Sequence, residues 1–397
     1  MNIKQFFLIG MIACIISSCT TEESMNSLIA DRLEKSAEQY RLMAESLLSQ
    51  PGKLPRSFEN DQLITSNSAW WCSGFMPGTL WYLYEYTNDA KLLEYAKTYT
   101  DRIEKEQYNN GTHDLGFMIY CSYGNGLRLT DNKDYIPIMM TGAESLATRY
   151  NPLIGCIQSW GANAKWQFPV IIDNMMNLEF LFWASKQSGD PKFRDICISH
   201  ADKTIRNHYR PDFSSFHVVS YDTITGLPEK KNTHQGYNDE SAWARGQAWG
   251  LYGYVMAYRE TKMQRYLDQA CKIAGFLLNH PNLPADKIPY WDFNAPDIPE
   301  AKRDASAGAI IASALIELSL YAEKEAADQY IRVAETQLRT LSSPEYFAGT
   351  GTNGHFILKH STGHLPGNSE VDVPLTYADY YYIEALLRYK NRILKSS

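Results

Sequence analysis

The feature that most constrains the fold is a helical spacing of apolar residues that recurs along almost the whole chain. About twelve segments carry this spacing, whereas stretches with the alternation typical of a β-strand are few and short. The predicted helices span residues 27–49, 74–87, 90–108, 114–127, 133–150, 171–188, 192–209, 240–260, 263–279, 304–322, 325–341 and 374–392. The chain is therefore predicted to be all-α.

The predicted helices alternate in character along the chain. Odd-numbered helices, such as "LLEYAKTYTDRIEKEQ", are amphipathic with a charged face, whereas even-numbered helices, such as "AGAIIASALIELSLYA", are apolar nearly all round and are expected to be buried. Six outer and six inner helices predict an (α/α)6 barrel, a toroid of six helical hairpins. A solenoid of the tetratricopeptide type is the competing arrangement, but the chain has no fixed repeat of about 34 residues.

The first residues predict export from a bacterial cell. "MNIKQFFLIGMIACIISSC" combines a basic start, a short apolar run and small residues before Cys19, so residues 1–18 are predicted to be a signal peptide. "IISSC" also resembles a lipobox, which predicts a lipidated Cys19 and a periplasmic or membrane-anchored lipoprotein; plain secretion is the alternative. Residues 19–30 are then a short linker, and 31–397 a single catalytic domain.

Charge and cysteine content exclude several functional classes. The net charge is −7, from 45 Asp and Glu against 38 Lys and Arg, and no basic run suggests binding to nucleic acid. Beyond Cys14 and Cys19, the remaining cysteines are odd in number and widely scattered, which does not predict a disulfide framework. The chain contains no CxxC or HExxH spacing, so the sequence does not predict a metal site.

The long connections that precede the even-numbered helices are rich in Trp, His, Gly and Pro, which predicts a functional site at one end of the ring. In a toroid the inner helices all begin at the same end, which we call the mouth. Several polar and aromatic residues lie at or just before these helix starts. They are Trp70, Trp71, His113, Asp114, Asp173, Arg245, Trp249, Asp304 and Asp372.

Most of these residues also have a purely structural interpretation. Asp114, Asp304 and Asp372 lie near helix starts, where a carboxylate caps free backbone N–H groups. Arg245 and Trp249, one turn apart, suit a buried ion pair with stacking. Each single aromatic residue is also compatible with an ordinary place in the core.

Asp173 is more difficult to explain structurally. It lies in "FPVIIDNMMNLEFLFWA", where the neighbouring aliphatic residues leave little water around its carboxyl group. Burial raises the pKa of such a group, while the helix N-terminus and Asn174 or Asn177 as donors would lower it. A carboxyl group under these opposing influences can release and recover a proton near neutral pH. The structural alternative is an anion held permanently by Arg245 or His217.

Five ordered motifs make the chain resemble the unsaturated glucuronyl hydrolases, glycoside hydrolase family 88. They are "WWCSGFMPGTLWYLYEYT", "HDLGFMIYCSYGNGLRL", "FPVIIDNMMNLEFLFWA", "HQGYNDESAWARGQAWGLYGY" and "EVDVPLTYADYYYIEALLR". The resemblance covers residues 31–389 and implies an α6/α6 barrel. It also implies removal of a 4,5-unsaturated glucuronic acid from the non-reducing end of oligosaccharides left by polysaccharide lyases, without a metal or an organic cofactor. Glycosaminoglycans are the expected source of these oligosaccharides.

The resemblance also implies roles for individual residues. The carboxyl group that matches Asp173 protonates C4 of the enol ether and then deprotonates the water that adds at C5, and Asp114 orients the ring and assists. The positions that match sugar-binding or water-binding residues are His113, His217, Gln235, Arg245, Trp249, Trp160 and either Trp70 or Trp71. In the stretch 349–372, Lys359, His360, His364 and Ser369 are expected near the next sugar, or else in a plain solvated loop.

Three alternatives remain open at the level of sequence. The related unsaturated rhamnogalacturonyl hydrolases share the implied fold and chemistry. A surface lipoprotein that only binds glycans would keep the aromatic residues but would not need a desolvated Asp173 beside Asp114. An ordinary inverting glycosidase on the same toroid would cleave saturated substrates, with two carboxyl groups at a defined separation.

Overall fold

The computed structural model describes residues 23–395, which contain twelve α-helices, and each helix overlaps one of the predicted segments. The helices are α1 (Met25–Leu48), α2 (Phe75–Thr87), α3 (Ala90–Asp101), α4 (Asn125–Thr130), α5 (Tyr135–Ala147), α6 (Leu178–Ser188), α7 (Pro191–His208), α8 (Ala244–Thr261), α9 (Gln264–Asn279), α10 (Ala305–Leu318), α11 (Lys324–Leu341) and α12 (Thr376–Tyr389). The predicted signal peptide and Cys19 lie outside the described residues. Helix α1 begins inside the predicted linker.

The even-numbered helices form a closed inner ring. Helix α2 contacts a π-helical segment that continues into α4, and this segment contacts α6. Around the rest of the ring, α6 contacts α8, α8 contacts α10, α10 contacts α12, and α12 contacts α2 again. Helices α8 and α10 are buried on all sides over residues 244–257 and 305–318. The predicted (α/α)6 barrel is therefore confirmed.

The odd-numbered helices pack outside the ring through a single apolar stripe. In α11, the buried apolar residues Tyr330, Ala334, Leu338 and Leu341 follow the three-to-four-residue spacing of one helix face. The opposite face of α11 is polar and solvated, as the alternation of helix types in the sequence predicts. Across the described part of the chain, no helix has the length and apolarity to cross a bilayer.

Two inner elements approach each other closely where the fourth and sixth predicted helices meet. The segment Gly116–Gly124 is π-helical, and a side chain at Gly116 would lie 2.7 Å from the Cα atom of Asn177. The Asn177 Oδ1 atom accepts a hydrogen bond of 3.0 Å from the Phe117 amide. Glycine is therefore required for this contact, which fixes the start of α6 against its neighbour in the ring.

Short antiparallel strands occupy the long connections that lead into inner helices at the mouth. They are β1 (Leu54–Glu59), β2 (Gln62–Ser66), β3 (Tyr150–Asn151), β4 (Cys156–Ile157), β5 (Pro169–Ile171), β6 (Val218–Tyr221), β7 (Pro228–Asn232), β8 (Ser361–His364) and β9 (Ser369–Val373). Strands β5, β6 and β7 form one sheet, and the other strands pair as β1–β2, β3–β4 and β8–β9. They brace the mouth, where the candidate site residues lie.

The opposite end of the inner ring carries charged residues of alternating sign, one from each inner helix, which we call the charge belt. In ring order the belt consists of Glu85, Arg128, Glu179, Arg259, Glu317 and Arg388. Arg128 pairs with Glu85 at 2.6 Å, and Arg259 pairs with Glu179. Glu317 lies 2.9 Å from both Arg259 and Arg388. These pairs join neighbouring inner helices by electrostatic attraction, which is strongest around the buried Glu317.

We expect Glu317→Gln to lower the free energy of unfolding by about 3 kcal/mol, because it leaves two buried guanidinium groups with one carboxylate fewer. Burial raises the pKa of Glu317, but the two arginines outweigh this effect and lower the pKa from 4.5 to about 2. The stabilisation is therefore fully present above pH 4.5 and is lost as the pH falls toward 2.

Urea unfolding at pH 7 and at lower pH measures this loss. The matched control is Glu38→Gln, an exposed glutamate on α1 without an ion pair in the described structure, which should leave the unfolding midpoint unchanged. Equal stabilities for the two variants at pH 7 would show that the belt does not stabilise the ring.

Candidate active site

The carboxyl group of Asp173 lies at the mouth, in the first turn of the third inner helix. Strand β5 leads directly into a 3₁₀ segment, Ile172–Asn177, which continues as α6. The side chain is only 13% exposed, and its Oδ2 atom is buried without a hydrogen-bond partner. A small part of the side chain is thus exposed at the mouth, while the rest is buried.

Opposing electrostatic effects place the titration of Asp173 close to neutral pH. Burial raises its pKa from 3.8 to about 7, and the negative charge of Asp114 acts in the same direction. Arg245 and the indole N–H of Trp249 lower it. The Trp249 N–H is not in hydrogen-bonding geometry, so its effect stays weak. Because burial prevails over the Arg245 charge, the structure does not support a permanent anion.

The expectation that Asn174 or Asn177 donates to Asp173 is wrong. The Asn174 side-chain amide donates a hydrogen bond of 2.9 Å to the Ile157 carbonyl oxygen. The Asn177 side chain accepts a hydrogen bond from the Phe117 amide of the neighbouring inner element. In a 3₁₀ turn successive side chains point about 120° apart, so the residue after Asp173 faces away from it. The two amides position the turn that carries the carboxyl group.

His217 faces Asp173 with a defined tautomer. Its Nδ1 atom accepts hydrogen bonds from the backbone amides of His234 (3.1 Å) and Gln235 (3.2 Å), so the ring proton resides on Nε2. Burial holds the pKa of His217 well below its usual value, and the ring is neutral. Nε2 lies 3.8 Å from Asp173 Oδ2, and both atoms lack a hydrogen-bond partner. A water molecule or a ligand hydroxyl group that reaches both atoms would satisfy them.

Arg245 is fully buried and its guanidinium group is already engaged. It donates to Asp304 Oδ2 (3.1 Å) and to the carbonyl oxygens of Thr362 (2.6 Å) and Gly363 (2.7 Å). It also lies 4.6 Å from the centre of the Trp243 ring. The structural interpretation therefore holds for the ion pair, whereas the stacking partner of Arg245 is Trp243 and not Trp249. Arg245 ties α8 to α10 and β8, and its charge acts on Asp173 without direct contact.

Asp114 and His113 form a pair at the edge of the same site. His113 Nε2 lies 3.3 Å from Asp114 Oδ1, and the Thr112 hydroxyl donates 2.7 Å to Asp114 Oδ2. Burial lowers the pKa of His113, which is neutral at pH 7. The Asp114 side chain thus accepts from a hydroxyl rather than from a helix amide, and its charge reaches Asp173.

Aromatic rings line the mouth in two groups. Trp71 packs in the ring interior, 5.6 Å from Phe117 and 4.9 Å from Tyr377, whereas Trp70 is 37% exposed beneath the Arg56 guanidinium at 4.3 Å. The buried Trp249 ring lies 5.2 Å from Phe117.

Trp160 belongs to the second group of rings. It lies 5.9 Å from His217 and 5.2 Å from His234. Gln235 joins this side to β8 through a side-chain hydrogen bond of 3.1 Å to the Gly363 carbonyl oxygen. Within residues 23–395, no three His, Cys, Asp or Glu side chains are grouped to hold a metal ion.

The sequence model of Glycosyl Hydrolase Family 88 matches residues 49–384. The chain belongs to glycoside hydrolase family 88. An unsaturated glucuronyl hydrolase of Formosa agariphila is 44% identical over 384 residues, which cover 95% of each chain. An unsaturated chondroitin disaccharide hydrolase of Streptococcus agalactiae is 34% identical, over 84% of this chain and 85% of that protein.

Solved structures agree with this assignment. The crystal structure of an unsaturated glucuronyl hydrolase specific for heparin matches with a TM-score of 0.90 and 48% identity, over 94% of this chain and 99% of that chain. The enzyme of Bacillus sp. GL1 matches with a TM-score of 0.84 and 30% identity, over 93% and 97%. The resemblance stated from the motifs is confirmed, and the protein is a glycoside hydrolase. A glycan-binding lipoprotein without activity is not favoured.

In this family 88 hydrolase, the two aspartates that precede α10 and α12 differ in role. Asp304 accepts from the Ser306 amide at 3.0 Å, so its predicted capping is confirmed, and it also pairs with Arg245. The capping role considered for Asp372 is wrong. It lies in β9 and pairs with His360 (2.7 Å) and Lys302 (2.8 Å), because the hairpin intervenes before the helix.

The residues of the stretch 349–372 point in different directions. The His364 Nε2 atom lies 2.9 Å from the His234 carbonyl oxygen, so His364 borders the His217 side of the mouth. Lys359 donates to the Pro344 carbonyl oxygen at 2.7 Å. Ser369 accepts from Arg56 at 3.5 Å, next to the exposed ring of Trp70. The interpretation as a plain solvated loop therefore does not hold for His364.

Trp243 is a further residue of the site that was not among the residues predicted from the sequence. Its ring lies 4.5 Å from that of His217 and stacks on Arg245. The residue directly precedes α8, in "ESAWARGQAW", at the same kind of helix start that drew attention to Trp70 and Trp71. This position directly before an inner helix is the sequence feature from which Trp243 could have been predicted.

We expect Asp114→Asn to lower the pKa of Asp173 below about 7, because the substitution removes a negative charge that disfavours ionisation. Carboxyl ¹³C NMR titration of protein labelled at aspartate measures this shift. The matched control is Asp372→Asn, a mouth carboxylate that does not perturb Asp173 and should leave its titration in place. An unchanged Asp173 midpoint in Asp114→Asn would contradict the proposed electrostatic coupling.

Proposed function

We propose that the protein removes 4,5-unsaturated glucuronic acid from the non-reducing end of lyase-generated oligosaccharides, and that these derive from glycosaminoglycans. The observation that carries the proposal is Asp173, a buried carboxyl group at the mouth with a pKa of about 7 and one free oxygen atom. The relatives support the substrate class, because their names specify unsaturated glucuronyl, chondroitin disaccharide and heparin substrates.

The proposed reaction adds water across the C4=C5 bond of the unsaturated ring. Protonated Asp173 gives its proton to C4, and positive charge develops at C5 and the ring oxygen. The Asp173 carboxylate then takes a proton from water as the water oxygen bonds to C5. The resulting hemiketal opens to a C5 ketone, and the hemiacetal left at C1 releases the remaining chain as an alcohol. One water molecule is consumed, and Asp173 regains its proton.

The contacts around Asp173 suit this sequence of proton transfers. The Nε2–H group of His217 faces the free Asp173 oxygen, where it can orient the attacking water. Burial, with a further contribution from the negative charge of Asp114, raises the pKa of Asp173 to about 7, so that the acid form is present at neutral pH. We assign substrate contacts to His113, Gln235, Trp249, Trp160 and one of Trp70 and Trp71, while Arg245 acts through its charge.

The decisive experiment compares an unsaturated disaccharide made by a glycosaminoglycan lyase with its saturated counterpart. We expect the ultraviolet absorption of the conjugated double bond to disappear for the first substrate, because hydration removes that bond. The saturated sugar should remain intact. Cleavage of the saturated sugar would favour an inverting glycosidase, and preference for an unsaturated rhamnogalacturonan product would favour the related activity.

The same assay tests the proton donor. Asp173→Asn should lose nearly all turnover while keeping the melting temperature, and the exposed control Asp268→Asn should retain wild-type activity. Because the reaction begins with the acid form, kcat/KM of the wild-type enzyme should fall as pH rises through about 7. Activity that persists in Asp173→Asn would remove the central element of the proposal.

We further propose that the protein is exported and lipid-anchored through Cys19, in the periplasm or on a membrane. The support is the N-terminal sequence alone, with its apolar run and the "IISSC" motif. Mass spectrometry of the protein from its native host should find a diacylglyceryl group on Cys19 and no residues 1–18. A mature chain that retains Cys19 without lipid would indicate plain secretion instead.

A further inference from the structure

A cavity lies at the far end of the ring, and Asp173 is not among the residues that line it. Its volume is about 520 Å³, within the range of small-ligand sites. Its lining includes five of the six charge-belt residues, Glu85, Arg128, Glu179, Arg259 and Arg388. We call it the far cavity. Neither the reaction proposed at the mouth nor the packing of the ring requires an open space there.

The charges around the far cavity are balanced by one another. Arg259 pairs with Glu179 and Glu317, and Arg388 pairs with Glu317 and Glu384. Arg128 is likewise bound to Glu85. An arginine that already holds a carboxylate has little attraction left for an anionic ligand, and the glutamates have little for a cation. The far cavity therefore favours a neutral ligand.

Aromatic side chains supply the walls. Tyr82, Tyr120, Trp183 and Tyr252 line the cavity, and the Tyr120 and Trp183 rings lie 6.5 Å apart. Flat aromatic faces bind the apolar C–H faces of sugar rings and polyols. These aromatic walls can contact the apolar faces of a ligand. The charged side chains beside them can form hydrogen bonds with hydroxyl groups at the edges of the same ligand.

Two tyrosine hydroxyl groups in the cavity have unused hydrogen-bonding capacity. Tyr381 and Tyr120 line the cavity, and neither hydroxyl group is hydrogen-bonded to another described residue or fully buried, so both are accessible from the cavity. These groups can donate to and accept from neutral ligand hydroxyls.

We propose that the far cavity is a second binding site, distinct from the mouth, for a neutral saccharide or polyol of about one or two rings. The ligand stacks on the aromatic walls, and its hydroxyl groups bond to Tyr381 and Tyr120. The Tyr381 ring lies 5.4 Å from that of Trp249, so the bound molecule lies behind the aromatic layer of the active site.

The test uses the Asp173→Asn protein with its mouth saturated by the unsaturated disaccharide, so that added sugar reaches only other sites. Methyl β-glucopyranoside is titrated and followed by ligand-observed NMR, with sodium glucuronate as the charged probe. We expect saturable binding of the glucoside at one site and much weaker binding of glucuronate. Absence of saturation, or preference for glucuronate, would overturn the proposal.

Two substitutions locate the binding. Tyr381→Phe, added to the same background, should weaken glucoside binding about tenfold, the effect of one lost hydrogen bond. Trp183→Leu should weaken it by removing an aromatic wall. The matched control is Tyr123→Phe, which removes a tyrosine hydroxyl that has no hydrogen-bond partner and lies outside the cavity lining. Equal affinity in Tyr381→Phe and Tyr123→Phe would place the ligand elsewhere. The outcome is independent of activity at the mouth.

Discussion

The exclusion of water from the interior of the helical ring is the constraint on which the rest of this structure depends. Inner helices that are buried on all sides, such as α8 and α10, satisfy their own backbone groups and leave little solvent around their side chains outside the far cavity. Any ionisable side chain placed inside must be paired, neutralised or shifted in pKa. The ionisable side chains at the two ends of the ring meet this requirement in different ways.

At the far end the charges are paired. Glu317 is only 1% exposed, yet two arginines keep its pKa at about 2. It therefore remains an anion and has a structural role. At the mouth Asp173 has no such partner in direct contact, and its pKa rises to about 7. At the far end, buried charges that are paired with opposite charges thus stabilise the ring. At the mouth, burial without such a partner in direct contact raises the pKa of Asp173 and supports proton transfer.

A raised pKa alone does not identify the reactive carboxyl group. Burial also raises the pKa of Asp379 to about 7, but its oxygens accept hydrogen bonds from Tyr40, Ile357 and Leu358. Asp379 therefore fixes loops and offers no free atom. Asp173 combines the shift with an unpaired oxygen, an opening to the mouth and a neutral imidazole opposite. That combination distinguishes a proton-transfer group from a structural one.

The sequence by itself determined the helices, their inner or outer position and the desolvation of Asp173, because these follow from periodicity and from neighbours within one helical turn. It could not assign the hydrogen bonds of Asn174, the tautomer of His217 or the engagement of Arg245. The partners of Arg245 lie 59 to 118 residues away in the chain. The charge belt likewise draws one residue from each inner helix. Only ring closure brings such distant residues together, so the tertiary structure decided which charges are paired and which carboxyl group is left free to react.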